Sequence, residues 1–361
     1  MFRKLSTFLV LTVMSSPVAA SLDDLRLPPG FVIEEYADVP NARSLALGDK
    51  GTLFVSNRRG RSVYAVVRND DGSTRTIELL DGMSTPNGIA FRDGDLYVAE
   101  IDRVIRYADI ENHLEEAPQG EVLNIDLPSD RHHGWRYIGF GPDDKLYISI
   151  GAPCNICDEF GYAQIIRVNT DGTGRETFAS GIRNSVGFTW HPTTGEMWFT
   201  DNGRDMMGDD MPACELNHAP RQGLHFGYPY CHAGDIADPR FGVRRDCSNY
   251  TPPAQKLGPH VAPLGVKFYT GDMFPEEYRN QVFIAEHGSW NRSKKIGYRI
   301  TQVRLDGDQA VSYEPFAEGW LQNERVSGRP VDLIVLEDGS MLVSDDYSGK
   351  IYRISFAGRT R

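Results

Sequence analysis

A chain of 361 residues with a formal net charge of −12 lacks the basic face that phosphate binding demands, which sets nucleic acid aside as a partner. It has no polybasic segment for anionic lipid and, beyond its first residues, no apolar run long enough to span a bilayer. Small-molecule chemistry remains, on a chain long enough for one large all-β domain or two ordinary ones.

Arg3 and Lys4 precede the apolar run Phe8 to Met14, and Pro17-Val18-Ala19-Ala20 supplies small residues for cleavage after Ala20. Residues 1–20 therefore read as a signal peptide, and 21–361 as one exported domain, periplasmic or secreted. From Leu27 onward a unit recurs: a short apolar segment, a turn with Asp or Gly, then a strand centred on an aliphatic or aromatic triplet. Its second strands centre near Leu53, Leu96, Leu146, Met197, Val282 and Met341. Six such units predict an all-β chain folded as a six-bladed β-propeller, with an insertion around residues 204–263. A β-sandwich would give strands without a unit recurring six times.

A propeller gathers the corners before each first strand around one axis, so Asn87, His132, His133, Arg183, Asn184 and Arg329 converge there. His133 is a titratable base among glycines, able to take the proton of an alcohol as hydride leaves its carbon. Taken alone, a histidine in a loop is more often merely hydrogen-bonded. Arg183-Asn184 offers a planar cation beside an amide, suited to a carboxylate or quinone oxygen and a hydroxyl. Asp201 to Asp205, with Asp209, Asp210 and Glu215, forms an oxygen-rich loop, either a Ca²⁺ site or an acidic solvated loop. In Glu286 to Arg292, Trp290 presents a plane against which a flat cofactor could lie, with Asn291 or Arg292 at its edge.

The five cysteines are Cys154, Cys157, Cys214, Cys231 and Cys247. In an oxidising compartment Cys154 and Cys157 are expected to pair, with a second bridge among the other three and one thiol left over. Asp158 stands where haem attachment needs a histidine. No dinucleotide fingerprint, P-loop, zinc-protease helix or serine-hydrolase elbow occurs.

The ordered set Arg131-His132-His133-Gly134-Trp135-Arg136, Phe140-Gly141-Pro142-Asp143, Gly181-Ile182-Arg183-Asn184 and the 201–217 loop ending Glu215-Leu216-Asn217 resembles the soluble quinoprotein sugar dehydrogenases, and most of all their sorbosone and aldose branch. The resemblance implies a six-bladed propeller that uses pyrroloquinoline quinone and Ca²⁺. It implies that His133 is the catalytic base, with Arg183 and Asn184 contacting the quinone and the substrate-side oxygen. Arg329 matches a clamp on a quinone carboxylate, and Asn87 falls near the cofactor. The carbonyls of Gly203 and Arg204 match ligands of the active-site Ca²⁺, and Glu215 a ligand of a second one. The chain departs from the pattern at His132, where the glucose enzymes carry an Asp that supports the base, and at Phe226, which replaces a tyrosine of the second calcium site. The family's cofactor lysine has no clear counterpart, although Arg292, Lys294 and Lys295 fall nearby.

The leading expectation is thus oxidation of a sugar or sugar aldehyde, with hydride passing to the quinone C5 and electrons leaving to an acceptor the sequence does not identify. One alternative is a calcium-dependent lactonase on a similar propeller, which Pro86 to Phe91 would fit about as well. Another is a propeller that only binds a partner or glycan.

Overall fold

A computed structural model describes residues 21–358; the expected signal peptide lies outside the described residues. The six recurring units fold as six blades of four antiparallel strands, the third extended by a short fifth strand, numbered here in chain order. Their apolar triplets lie in the second strands, Leu53–Asn57, Asp95–Ala99, Leu146–Ile150, Met197–Asp201, Val282–Glu286 and Met341–Asp345, every residue of which is buried. Covered on both faces by neighbouring blades, these strands tolerate near-continuous apolar runs instead of strict alternation.

The first strands, Ala42–Leu47, Gly88–Arg92, Ile138–Phe140, Phe188–Trp190, Pro263–Phe268 and Pro330–Val335, surround the axis. Backbones meet there so closely that a Cβ on Gly187 would lie 2.1 Å from the carbonyl oxygen of Leu264, and one on Gly265 2.6 Å from the Cα of Asp332. At their N-terminal ends the first strands of blades 1 and 6 slip out of register. The freed N–H groups of Ser44 and Asp332 donate instead to Ser56 Oγ (2.8 Å) and Ser344 Oγ (3.0 Å) on the second strands. Tyr137 does the same to Ser149 in blade 3, at 3.0 Å. A buried amide is thereby satisfied where the ladder stops and the corner residues begin.

Closure comes from the start of the described chain. Phe31–Asp38 pairs antiparallel with Lys350–Phe356 as the outer strand of blade 6. Phe31 packs edge-on against Phe274 (4.8 Å), Phe316 (5.0 Å) and Tyr278 (5.1 Å), which belong to blade 5. One strand therefore ties the first residues of the ring to its last two blades, a pairing that local sequence pattern does not reveal.

The expected insertion needs correction. The span 204–263 contains two strands of blade 4, Ala213–Ala219 and Gln255–Pro259. The first escaped notice because Glu215 and Asn217 are polar yet buried, which breaks the apolar signature. The true excursions are the loop 202–212 and the segment 220–254. Within the latter, Leu224–His225 joins blade 3 in parallel beside Ala179 and Ser180, linking blades 3 and 4. Disulfides join Cys154 to Cys157 and Cys231 to Cys247, leaving Cys214 free and buried, the pattern expected. No helix of the described residues is long and apolar enough to cross a membrane.

Candidate active site

The corners before the first strands enclose a cavity of about 340 Å³. His133, Arg183, Asn184, Gly203, Trp290 and Arg329 all line it, so the structure brings together most of the residues singled out from sequence.

His133 sits in the left-handed region, φ +49°, a conformation few non-glycine residues adopt and one that clusters at functional sites. Its Cβ leaves no room for a side chain at position 151, where an added Cβ would be 2.6 Å away. The ring's Nδ1 lies 2.8 Å from the carbonyl oxygen of Ala152. A carbonyl only accepts, so Nδ1 carries the hydrogen and Nε2 keeps its lone pair. This backbone contact supplies the orientation that an Asp would supply at position 132. His132 itself lies at the exposed rim, its ring 4.1 Å from that of His133. Burial first, then the positive charge of Arg183, pushes His133 from its ordinary value down to about 2. The sequence pointed to a titratable base; the structure gives one that stays neutral throughout the physiological range.

Arg183 is held on four sides. Nε donates to the carbonyl of Asn155 (2.9 Å), Nη2 to Asn155 Oδ1 (2.8 Å) and Asp205 Oδ2 (3.0 Å), and Nη1 to the carbonyl of Asn202 (3.2 Å). The backbone N–H groups of Arg183 and Asn184 donate to the Asp201 carboxylate at 2.8 and 2.6 Å. The fork is thus fixed before any ligand arrives, which lowers the cost of ordering it on binding.

Sequence reading missed the opposite wall. Blade 1 contributes Arg43, Arg58 and Arg59, which with Arg183 and Arg329 place five arginines around the cavity, against one carboxylate, Asp205. Arg43 is anchored to Asn87 Oδ1 (3.0 Å) and Asp346 (2.9 Å), and Arg329 to the carbonyls of His287 (2.9 Å) and Gly288 (3.1 Å). Arg58 lies 4.5 Å over the ring of Trp135 and makes no ion pair among the described residues. Burial, then repulsion from Arg43, lowers its pKa to about 9. A usable signal was present in Asn57-Arg58-Arg59-Gly60, the corner after a second strand, but attention fell on corners before first strands. His287 completes this wall: Nε2 donates to Asp346 Oδ1 at 2.8 Å, and burial pushes its pKa down to about 4.

Two expected cofactor contacts lie outside the cavity lining. Asn87 is fully buried beneath it, receiving Arg43 and donating to the carbonyl of Arg136 (2.9 Å). Arg292 is taken up by the carbonyl of Asp209 (3.3 Å) and the carboxylate of Asp210 (2.9 Å), where it clamps the 202–212 loop beside Trp290. Lys295 pairs with Glu324 and lies outside the cavity lining, whose cations are arginines, three of them from blade 1.

Beside the main cavity a void of about 10 Å³ is bounded by Asp201, Gly203, Arg204 and Glu215. Asp201 and Glu215 face each other in register on adjacent strands. Burial, then the Glu215 charge, pushes Asp201 up to about 8, and burial raises Glu215 as well. Glu215 accepts from the N–H of Ala233 (2.7 Å) and from Asn217 (2.9 Å), while the Arg204 side chain turns away to Asp238. Two buried carboxylates with no cation between them suit either a shared proton or a hard divalent ion.

A profile of the glucose/sorbosone dehydrogenase family matches residues 99–353. An uncharacterised protein of Borreliella burgdorferi is 31% identical over 373 residues, covering 98% of this chain and 97% of its own. The pyrroloquinoline quinone-dependent pyranose dehydrogenase of Coprinopsis cinerea is 28% identical over 235 residues, 48% of this chain and 30% of that longer protein. The holo PQQ domain of the Coprinopsis cinerea pyranose dehydrogenase superposes with a TM-score of 0.81 at 20% identity, over 94% of this chain and 98% of that domain. The apo soluble aldose sugar dehydrogenase of Escherichia coli does so with a TM-score of 0.68 at 16% identity, over 90% and 99%. The structural likenesses show the fold, the profile covers well over half of the chain, and together they establish that the chain belongs to the glucose/sorbosone dehydrogenase family.

Proposed function

We propose that the protein is an exported, pyrroloquinoline-quinone- and Ca²⁺-dependent dehydrogenase of a sugar or sugar aldehyde. The observation that carries this reading is the cavity wall: five arginines in a protein of net charge −12, flanked by Trp135 and Trp290, fit a flat polyanion. Pyrroloquinoline quinone, a planar tricarboxylate, would supply the electrophilic carbonyl that accepts hydride.

Arg43, Arg58, Arg59 and Arg329 would hold the carboxylates, and Arg183 with Asn184 the quinone edge and the substrate oxygen. Trp290, 70% exposed, closes one face of the slot. His133 takes the hydroxyl proton on Nε2; because its Nδ1–H is tied to Ala152, the imidazolium that forms is shared with a carbonyl. An anion bound in the cavity offsets the charge of Arg183, which after burial is the second cause of the lowered basicity of His133. The carbonyls of Gly203, which borders both the main cavity and the small void, and of Arg204, which borders the void, would hold a divalent ion, and the carboxylate of Glu215 a second one. Two disulfides support export to an oxidising compartment. The lactonase alternative needs a carboxylate set on the axis, whereas the single lining carboxylate, Asp205, is engaged by Arg183.

The test is reconstitution. Purified mature protein with Ca²⁺ and pyrroloquinoline quinone should retain one quinone per chain after gel filtration and reduce a dye with members of a panel of aldoses, sorbosone and simple aldehydes. Absence of both retention and dye reduction overturns the proposal.

A further inference from the structure

One short stretch of chain, residues 152–157, touches both residues that the proposed chemistry depends on. Cys154 and Cys157 close residues 154–157 by a disulfide. Two residues before the ring, Ala152 accepts from His133 Nδ1 at 2.8 Å and donates its own N–H to the carbonyl of Arg183, also at 2.8 Å. Inside the ring, Asn155 accepts from Arg183 twice, through its carbonyl (2.9 Å) and Oδ1 (2.8 Å). The same Oδ1 accepts from the N–H of Asp205 (2.9 Å), and Nδ2 donates to the Asp205 carbonyl (3.0 Å). The ring is anchored in turn by Tyr228, whose hydroxyl accepts from the N–H of Cys157 at 3.0 Å.

A four-residue segment without regular structure would ordinarily wander, and its hydrogen bonds would fix nothing. Closing it covalently removes most of that freedom. Asn155 then presents a rigid pair of acceptors to a fork that needs two in one plane. We infer that the Cys154–Cys157 ring is the positioning frame of the site, with Asn155 as the positioning residue for Arg183 and Ala152 as the one for His133. This inference rests on the proposed roles of His133 and Arg183, but its consequences are separable from them. Neither Asn155 nor the ring lines the main cavity, so any effect of Asn155 on turnover must pass through the residues it holds, Arg183 and the Asp205 that pairs with Arg183.

The test uses the mature protein, its Asn155→Ala and Asn155→Asp variants, and the double variant Cys154→Ser, Cys157→Ser. Turnover is expressed per bound quinone, so that a loss of folded or loaded protein does not count. Asn155→Ala should lose about 30- to 100-fold in kcat with KM for the sugar nearly unchanged, the usual consequence of misplacing a catalytic group by about an ångström. Asn155→Asp, which keeps the Oδ1 acceptor, should regain at least about tenfold of that loss. An independent reading comes from ¹⁵N-histidine NMR without quinone or substrate. The parent should show His133 in the Nδ1–H tautomer, and the double serine variant a mixture. Unchanged kcat per quinone in Asn155→Ala together with an unchanged tautomer in the double variant overturns the inference. If the parent retains no quinone, the proposed function fails, and the NMR comparison alone still decides whether the ring positions His133.

Discussion

Arg58 has a cost in the empty protein and a use in the loaded one, so replacing it should move stability and affinity in opposite directions. It lies over Trp135 and makes no ion pair among the described residues, with only the more distant Asp346 charge in its favour. Its pKa is lowered to about 9 by burial and then by Arg43. A lowered arginine pKa means that the charged form is disfavoured in the fold. The shift corresponds to an upper bound of about 5 kcal/mol of folding free energy, against which contact with the Trp135 face returns about 1 kcal/mol. After relaxation and water entry we expect Arg58→Ala to stabilise the empty protein by about 1–2 kcal/mol, a rise of a few degrees in Tm. Unlike removal of Arg43, which would take the donor from Asp346 Oδ2 and Asn87 Oδ1, it orphans no buried partner. With pyrroloquinoline quinone present, the same change removes a charge-assisted contact worth about 1.5–3 kcal/mol, weakening quinone binding about 10- to 150-fold. Thermal melts with and without the quinone, with a fluorescence titration for Kd, measure both. If Arg58→Ala melts lower when empty, or binds the quinone as tightly as the parent, the cavity is not a polyanion site of this design.

Other predictions concern the small void, the axis and the surface. In metal-free protein, Asp201 is protonated up to about pH 8. A carboxyl with a raised folded pKa contributes stability that is fully present below its unfolded value near ~3.9 and is lost as pH rises through about 8. Tm should therefore fall between about pH 5 and pH 8 in chelator, and Ca²⁺ should restore it, most strongly at the alkaline end. Glu215→Gln should abolish that Ca²⁺ response; a response that persists would place the ion elsewhere. Gly187→Ala should destabilise by about 2–3 kcal/mol in a denaturant melt, because the new methyl meets the backbone of blade 5 and neither side can yield cheaply.

The blades were legible because each second strand is covered on both faces and so carries a short run of apolar residues, a signal that survives without an alignment. His133, Arg183, Asn184 and Arg329 were legible because a propeller converts equivalent corners into one site. What escaped shares one feature, that its meaning depends on distant chain. Phe31–Asp38 looks like any amphipathic strand until it meets Lys350–Phe356. Ala213–Ala219 hid behind Glu215, which faces a void rather than solvent, and the buried Asn217. Arg58 and Arg59 look like a solvated turn until blade 3 brings Trp135 beneath one of them. Arg292, by contrast, looked like a cofactor ligand only because its pairing with Asp209 and Asp210 spans about eighty residues.

The central claim is that His133 takes a proton in a quinone-dependent oxidation. Quinone-loaded protein mixed anaerobically with an aldose from the reactive panel should reduce its quinone in a single turnover, followed by absorbance. His133→Ala should keep the quinone, since the arginine wall is intact, and reduce it about 10²- to 10⁴-fold more slowly. Reduction by His133→Ala at a rate within about threefold of the parent would contradict the account.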